Sequence, residues 1–302
     1  MRRAGHVPAA TIRAMSETLR TETVDGVRSI VLARPDEYNT ITPALRDDLA
    51  AAVDAAEDDD SVRVILLRAE GRAFCAGYGL DWSTAAQAAE SASGRVWDSV
   101  ADMRVMSRFV ATYMKLWYAT KPTIAAVQGW CVGGGTDLVL CADIVIAAEG
   151  ASFGYPPARV WGTPTTAMWV YRMGLEKAKR YLLTGDEIPA AEAARIGLIL
   201  EAVPDAELQD RAMSLARRMA RLPLSQLTML KLLCNQTAEN MGITSTRTLG
   251  TLFDGVARHT QEGLDFVRRA GEVGFRQTVQ ERDDPFGDYG SGPRGRRGRE
   301  RS

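Results

Sequence analysis

Histidine is almost missing from this chain: His6 and His259 are the two in 302 residues. That argues against a His-based triad or a His-rich metal site, since each needs imidazoles that converge. His259 follows Arg258 in a polar stretch and is expected at the surface. Cysteine is also scarce. Cys75, Cys131, Cys141 and Cys234 form no C-x-x-C pair and sit among apolar neighbours, the pattern of reduced, buried thiols in a cytoplasmic protein. Neither sign of charge is in excess. With 37 basic and 38 acidic residues and a net charge of −1, there is no electrostatic ground for nucleic acid or a membrane as partner. No apolar run reaches the roughly 18–20 residues a membrane span needs. The N-terminus MRRAGHVPAATIRAMSETLR has arginines but no apolar h-region, so it does not read as a secretory signal.

What is present is a chain that is 46% hydrophobic, enough to bury the core of one large domain. Residues 1–20 read as a loose leader, and 24–33 as a hairpin or strand pair. Thr42 caps a helix that Pro43 opens and that runs to about Glu57. Val62–Arg68 is a β-branched strand buried on both faces, followed by a glycine turn and a long helix near Trp97–Tyr118. The unit returns: a strand at Thr123–Val127, a turn at Gly133–Gly135, a helix at Thr136–Cys141 and a strand at Asp143–Ala148. This alternation predicts an α/β class, with the core over residues 21–205. From about Pro164 the pattern turns helical, near 164–173, 175–183, 190–196, 205–221 and 223–240, with one strand at Leu198–Val203. Residues 206–289 are expected as a helical cap or oligomerisation layer. The Gly- and Arg-rich tail, 290–302, is expected to be disordered.

Two glycine turns carry the chemistry. Ala73–Tyr78 follows the strand at 62–68, and Gly129–Gly135 follows the strand at 123–127. Glycine allows positive φ and close backbone approach. A turn between a strand and a helix points N–H groups outward at a helix N-terminus, where anionic oxygen is favoured. Two such turns converging would make an oxyanion hole. Neither is a dinucleotide fingerprint or a P-loop, because G-x-G-x-x-G and G-x-x-x-x-G-K-[ST] are both absent there.

In order and spacing these segments resemble the crotonase (enoyl-CoA hydratase/isomerase) superfamily. The likeness rests on Phe74–Tyr78, Lys121–Gly129, Gly133–Gly135, Cys141–Asp143 and Phe153–Pro156. It continues in Leu183–Asp186, Ala190–Ala193, Gly197-Leu198 and Asn39, and covers about residues 24–270. The resemblance implies a crotonase-like spiral of ββα units with a helical C-terminal region, assembled as a homotrimer or homohexamer. It also implies a coenzyme A thioester as substrate, no permanently bound cofactor and no metal. Its oxyanion-hole donors would be the N–H groups of Tyr78 and Gly134, stabilising an enolate-like anion. Its CoA contacts would fall near Arg34, Tyr38, Ala76 and Leu80, with Gly133 beside the hole. Tyr78 replaces a smaller residue of the family pattern and is expected to narrow the acyl pocket.

The family's usual pair of glutamates is not there. One position holds Asp137, the other Pro157, which cannot transfer a proton. Asp137 is expected as the remaining catalytic acid or base; the competing reading is a helix N-terminal residue complementing the dipole. Related chemistries with a carboxylate eight residues past the second position meet Thr165 here. Tyr155 offers a proton, and Arg159 a site for a substrate carboxylate. Trp130, Trp161 and Trp169 offer an aromatic acyl wall. Packing is the alternative for each. The leading expectation is enoyl-CoA hydratase chemistry. An isomerase or decarboxylase using Asp137 alone is a second, and a non-catalytic acyl-CoA-binding relative a third.

Overall fold

The structure is a computed structural model that describes residues 13–79, 87, 89 and 96–289. Eleven strands of these residues form two sheets. Strands β1 (Arg13–Met15), β2 (Leu19–Val24) and β3 (Val27–Leu32) pair antiparallel. Asp25 and Gly26, with φ of 52° and 77°, make the tight turn between β2 and β3; positive φ at both central residues matches the twist of a hairpin. Helix α1 (Pro43–Asp58) follows, its first turn capped by Thr42 Oγ1 accepting from Leu45 N–H. Then come β4 (Val64–Ala69), β5 (Ala73–Cys75), α2 (Ser99–Tyr118), β6 (Thr123–Val127), β7 (Trp130–Val132) and α3 (Gly134–Val139). After these stand β8 (Ile144–Ala148), β9 (Ser152–Gly154), α4 (Met168–Met173), α5 (Leu175–Leu182), β10 (Ile188–Pro189), α6 (Ala190–Ile196) and β11 (Glu201–Val203). Helices α7 (Leu208–Met219), α8 (Leu224–Asn240), α9 (Ile243–Arg258), α10 (Gln261–Val273) and α11 (Phe275–Asp283) complete the described chain.

The larger sheet runs β1-β2-β3-β4-β6-β8-β11 and is parallel from β3 onward. The smaller runs β10-β9-β7-β5. Each strand of the large sheet from β4 to β8 is followed by a short strand of the small one, which is the expected spiral of strand–strand–helix units. Side-chain period 2 explains the burial of the parallel strands on both faces. Val64, Leu66, Ile124 and Ala126 join Leu208, Ala212 and Ala216 of α7 on one face. Ile65, Leu67, Ala125 and Val127 point the other way, into the main core with α1 and α2. Helix α7 presents its three residues at i, i+4 and i+8, one stripe of a 3.6-residue period. Buried Lys121 closes α1 from outside: its Nζ donates to Ala56 O (2.7 Å), Glu57 O (3.0 Å) and Asp59 O (2.7 Å), the terminal carbonyls an α-helix leaves unsatisfied.

Several expectations are corrected. The end of the supposed leader is structured, since Arg13–Met15 and the start of β2 belong to the large sheet. The helix expected over 164–173 begins only at Met168, because 164–167 turns to meet Asp137. The last strand covers 201–203, not 198–203. Cys234 is exposed, unlike the other three thiols. His259 is half-buried, stacked on Trp97 with ring centroids 4.3 Å apart. The basic tail from Gly290 lies outside the described residues. Among those described, no helix is long and apolar enough to cross a membrane.

Candidate active site

The two glycine turns meet. A methyl group on Gly77 (φ 92°) would lie 3.1 Å from Val132 O and 3.5 Å from Gly134 N. One on Gly135 would run into the Cys75 carbonyl. Close approach of two backbones is therefore what these glycines serve. The first turn is pinned to Ile41, whose N–H donates to Gly77 O (2.8 Å) and whose carbonyl accepts from Gly79 N–H (2.8 Å). Upstream, buried Asn39 donates to Glu70 O and Ala73 O (2.9 Å each) and accepts from Arg34 N–H (2.9 Å). In the second turn Gly133 (φ 55°) accepts from Thr136 N–H, and Gly134 opens α3. A first-turn N–H of a helix has no carbonyl partner within that helix.

Both turns face a cavity of about 380 Å³. Gly77, Tyr78, Gly133 and Gly134 form its α/β wall. The Tyr78 ring lies against Gly134: a methyl on that glycine would come 2.8 Å from Tyr78 Cε2. That ring meets Phe109 edge-on at 5.5 Å, and its hydroxyl accepts from Tyr113 OH (3.2 Å). Tyr155, Pro157 and Trp161 come from the loop after β9. The opposite wall is helical: Val105 and Met106 of α2, Asp254 and Arg258 of α9, and Phe275, Val279 and Arg282 of α11. Trp161 joins the walls by packing on Phe266, with ring centroids 4.9 Å apart.

Other expected site residues lie elsewhere. Arg34 and Tyr38 line no part of this cavity; they flank the first turn, where Ala76 N–H donates to Tyr38 O (3.1 Å). Arg34 instead contributes to a separate surface groove with Pro35 and Thr42. Trp130 is half-buried facing Tyr289, ring centroids 6.0 Å apart, and Trp169 is in the main core. Leu80 lies outside the described residues. Tyr155 donates its hydroxyl proton to Thr163 O (2.7 Å). Arg159 is not poised for a substrate carboxylate. Its side chain is 3% exposed, pairs with Asp283 (2.9 Å) and Asp288 (2.8 Å), and lies 3.8 Å from the Phe286 ring centroid. A guanidinium so occupied ties the loop after β9 to the segment around Asp283–Asp288.

The largest correction concerns Asp137. It is fully buried and is not among the residues lining the cavity. Its Oδ2 accepts from Thr165 N–H (3.2 Å) and Oγ1 (2.9 Å), and its Oδ1 from Thr166 N–H (3.2 Å) and Oγ1 (3.0 Å). A carboxylate has about four acceptor positions, so these donors fill it. Burial pushes its pKa up to about 7, against the opposing pull of those same donors. Asp137 fastens the 164–167 turn to α3. The expected role as the cavity's acid or base does not fit this geometry.

Among the described residues, three carboxylates do line the cavity, Asp98, Asp102 and Asp254, and the one beside Pro157 and Gly162 is Asp254, 6% exposed on α9. Its Oδ2 accepts from Arg258 Nε (3.1 Å), and Arg258 Nη2 reaches both oxygens of Asp102 on α2 (2.9 and 2.8 Å). Burial raises the pKa of Asp254, while the Arg258 charge acts in the opposite sense. The sequence reading missed this group. An Asp and an Arg four residues apart on a helix read as an ordinary exposed pair, and the burial comes from α2 and the loop after β9.

The model of the enoyl-CoA hydratase/isomerase family matches residues 22–269. A probable enoyl-CoA hydratase of Rhodobacter capsulatus is 34% identical over 209 residues, 68% of this chain and 76% of that protein. The hydroxycinnamoyl-CoA hydratase-lyase of Pseudomonas fluorescens is 28% identical, over 70% of this chain and 75% of its own. Among solved structures, an enoyl-CoA hydratase from Mycobacterium smegmatis superimposes with a TM-score of 0.86 at 43% identity, covering 91% of this chain and 96% of that one. With the family model spanning most of the sequence and such relatives sharing its core, the chain belongs to the enoyl-CoA hydratase/isomerase family.

Proposed function

We propose that the chain is an acyl-CoA enzyme that adds water to the double bond of an enoyl thioester through an enolate-like anion. The thioester oxygen would sit between the N–H groups of Tyr78 and Gly134. Hydrogen bonds to that oxygen strengthen as it gains charge, so they lower the barrier more than they tighten binding. Losing one such donor typically costs about 10²–10³ in rate. The observation carrying this reading is the contact of the two glycine turns on the wall of one apolar cavity: Gly77 and Gly134 are adjacent there. Coenzyme A enters as part of the substrate. The narrow space beside Tyr78 favours an acyl chain slim at its α-carbon, and Trp161 and Phe275 supply apolar surface beyond. With Arg159 already ion-paired, a dicarboxylic acyl group or a decarboxylation has no cation from that residue to favour it. We take the assembly to be a homotrimer or homohexamer in the cytoplasm, following the family resemblance and the buried thiols of Cys75, Cys131 and Cys141.

The test is direct. Purified protein added to crotonyl-CoA is expected to bleach the enone absorbance, with 3-hydroxybutyryl-CoA as product. No bleaching across straight-chain and aromatic enoyl-CoA esters, at concentrations that saturate binding, would reduce the protein to an acyl-CoA-binding relative.

A further inference from the structure

We propose that Asp254, carried by α9 of the helical C-terminal region, is the catalytic carboxylate that Pro157 fails to provide. The proposal rests on the reading of function above. Its ground is position. Asp254 Oδ1 and Pro157 Cβ lie 3.4 and 2.9 Å from a single point, the place a Cβ on Gly162 would take. Pro157 Cγ in turn lies 3.5 Å from the corresponding point on Gly133, in the second glycine turn. Gly133, Pro157, Gly162 and Asp254 therefore follow one another across the cavity lining, from the α/β wall to the helical one. A carboxylate absent from the loop is present beside it, delivered by a different part of the chain.

Its surroundings fit a group that works rather than one that only holds. Arg258 fixes Oδ2 through Nε, and Asp102 fixes Arg258 from α2. Gln87 Nε2 donates to the Arg258 carbonyl, bracing the end of the helix. The Arg258 bond leaves part of its roughly four-site acceptor capacity for a water or a substrate proton. Asp137, with the same side chain, has four donors and no cavity. Burial that disfavours the charged form also brings a carboxyl group nearer to working as both base and acid around neutral pH.

The step balances with water as co-reactant. The Asp254 carboxylate takes a proton from water as the water oxygen bonds to the β-carbon. The π-electron pair moves onto the α-carbon and thioester oxygen. The resulting carboxylic acid gives that proton to the α-carbon, the thioester carbonyl re-forms, and Asp254 ends as it began. One carboxyl group suffices because it is base first and acid second.

The experiment compares the wild-type chain with Asp254→Asn and with the double variant D254N/P157E, using crotonyl-CoA for turnover and calorimetry for binding. D254N is expected to lose about 10²–10⁴ in kcat with Kd little changed. A glutamate at position 157 restores a carboxyl group to the same stretch of the cavity lining, so the double variant is expected to recover about tenfold or more of that loss. In case loss of the contact with Arg258 Nε unfolds D254N, D254N/R258Q removes both partners together and is read in the same way. Loss of kcat with intact binding supports the proposal, and recovery with P157E supports it most strongly. Full turnover by D254N overturns it. So does a loss that tracks weakened binding or lost structure in both D254N and D254N/R258Q. Absence of turnover in the wild type is a different result: it removes the functional reading and this inference with it.

Discussion

The two walls of the cavity are built on opposite principles. The α/β wall belongs to the main core, where strands are buried on both faces and side chains interlock. What it shows the cavity is mostly backbone: the turns at Gly77 and Gly133–Gly134. In the helical wall α2 belongs to that core, but α10 and α11 rest on a much smaller cluster around Trp161, Phe266 and Val267. This wall presents side chains, including Asp254, Arg258 and Arg282. Rigid packing fixes hydrogen-bond donors at no further entropic cost when substrate arrives. A lightly packed layer is where side-chain identity can change without undoing the fold. The contrast shows most plainly in two aspartates. Asp137 is consumed by the architecture of the first wall, and Asp254 is available on the second.

The comparison can be broken at the seam. Trp161→Ala removes the ring packed on Phe266 and is expected to cost about 3 kcal/mol, detaching the helical wall first. Hydrogen exchange should then rise in α10 and α11 while β4 and β6 stay protected; uniform loss of protection would deny the two-wall picture. Asp137→Asn comes next. An amide cannot accept from all four donors, so about 1–3 kcal/mol of stability is expected to go, read by urea unfolding, with little change in kcat per folded molecule.

The pH dependence of that difference has a definite sign. Burial holds the folded-state pKa of Asp137 near 7, above its ordinary 3.8. Between those values the folded state binds more protons than the unfolded one, so stability falls as pH rises. The advantage of wild type over D137N should be greatest near pH 4, shrink toward about pH 7, and stay level above it. A difference that grows with pH would mean the ionised form is the one the fold favours. Smallest of all, Tyr155→Phe removes only the bond to Thr163 O and is expected to cost about 1 kcal/mol. A large fall in kcat instead would return Tyr155 to the list of proton donors.

The sequence announced the first wall far better than the second. β-branched runs at Val62–Arg68 and Thr123–Val127, with glycines after them, mark buried strands and close turns through local pattern alone. The short strands of the small sheet, only two or three residues each, are below what periodicity can detect. The helical wall was legible as helix but not as wall. Which face of α9 meets α2 depends on contacts between residues far apart in the chain, and no local signal distinguishes a buried Asp–Arg pair from a solvated one. Asp137 misled for a related reason. Its place after three glycines matched the expected base, while its partners Thr165 and Thr166 stand well downstream. Arg159 offered a charge for substrate, and its acidic partners lie near the end of the described chain.

One measurement bears on the account most directly: kcat on crotonyl-CoA for D137N and D254N side by side, each normalised to folded protein. The account predicts that D137N turns over at close to the wild-type rate while D254N falls by about 10²–10⁴. The reverse order, an inert D137N and an active D254N, would contradict it and move the chemistry back to the α/β wall.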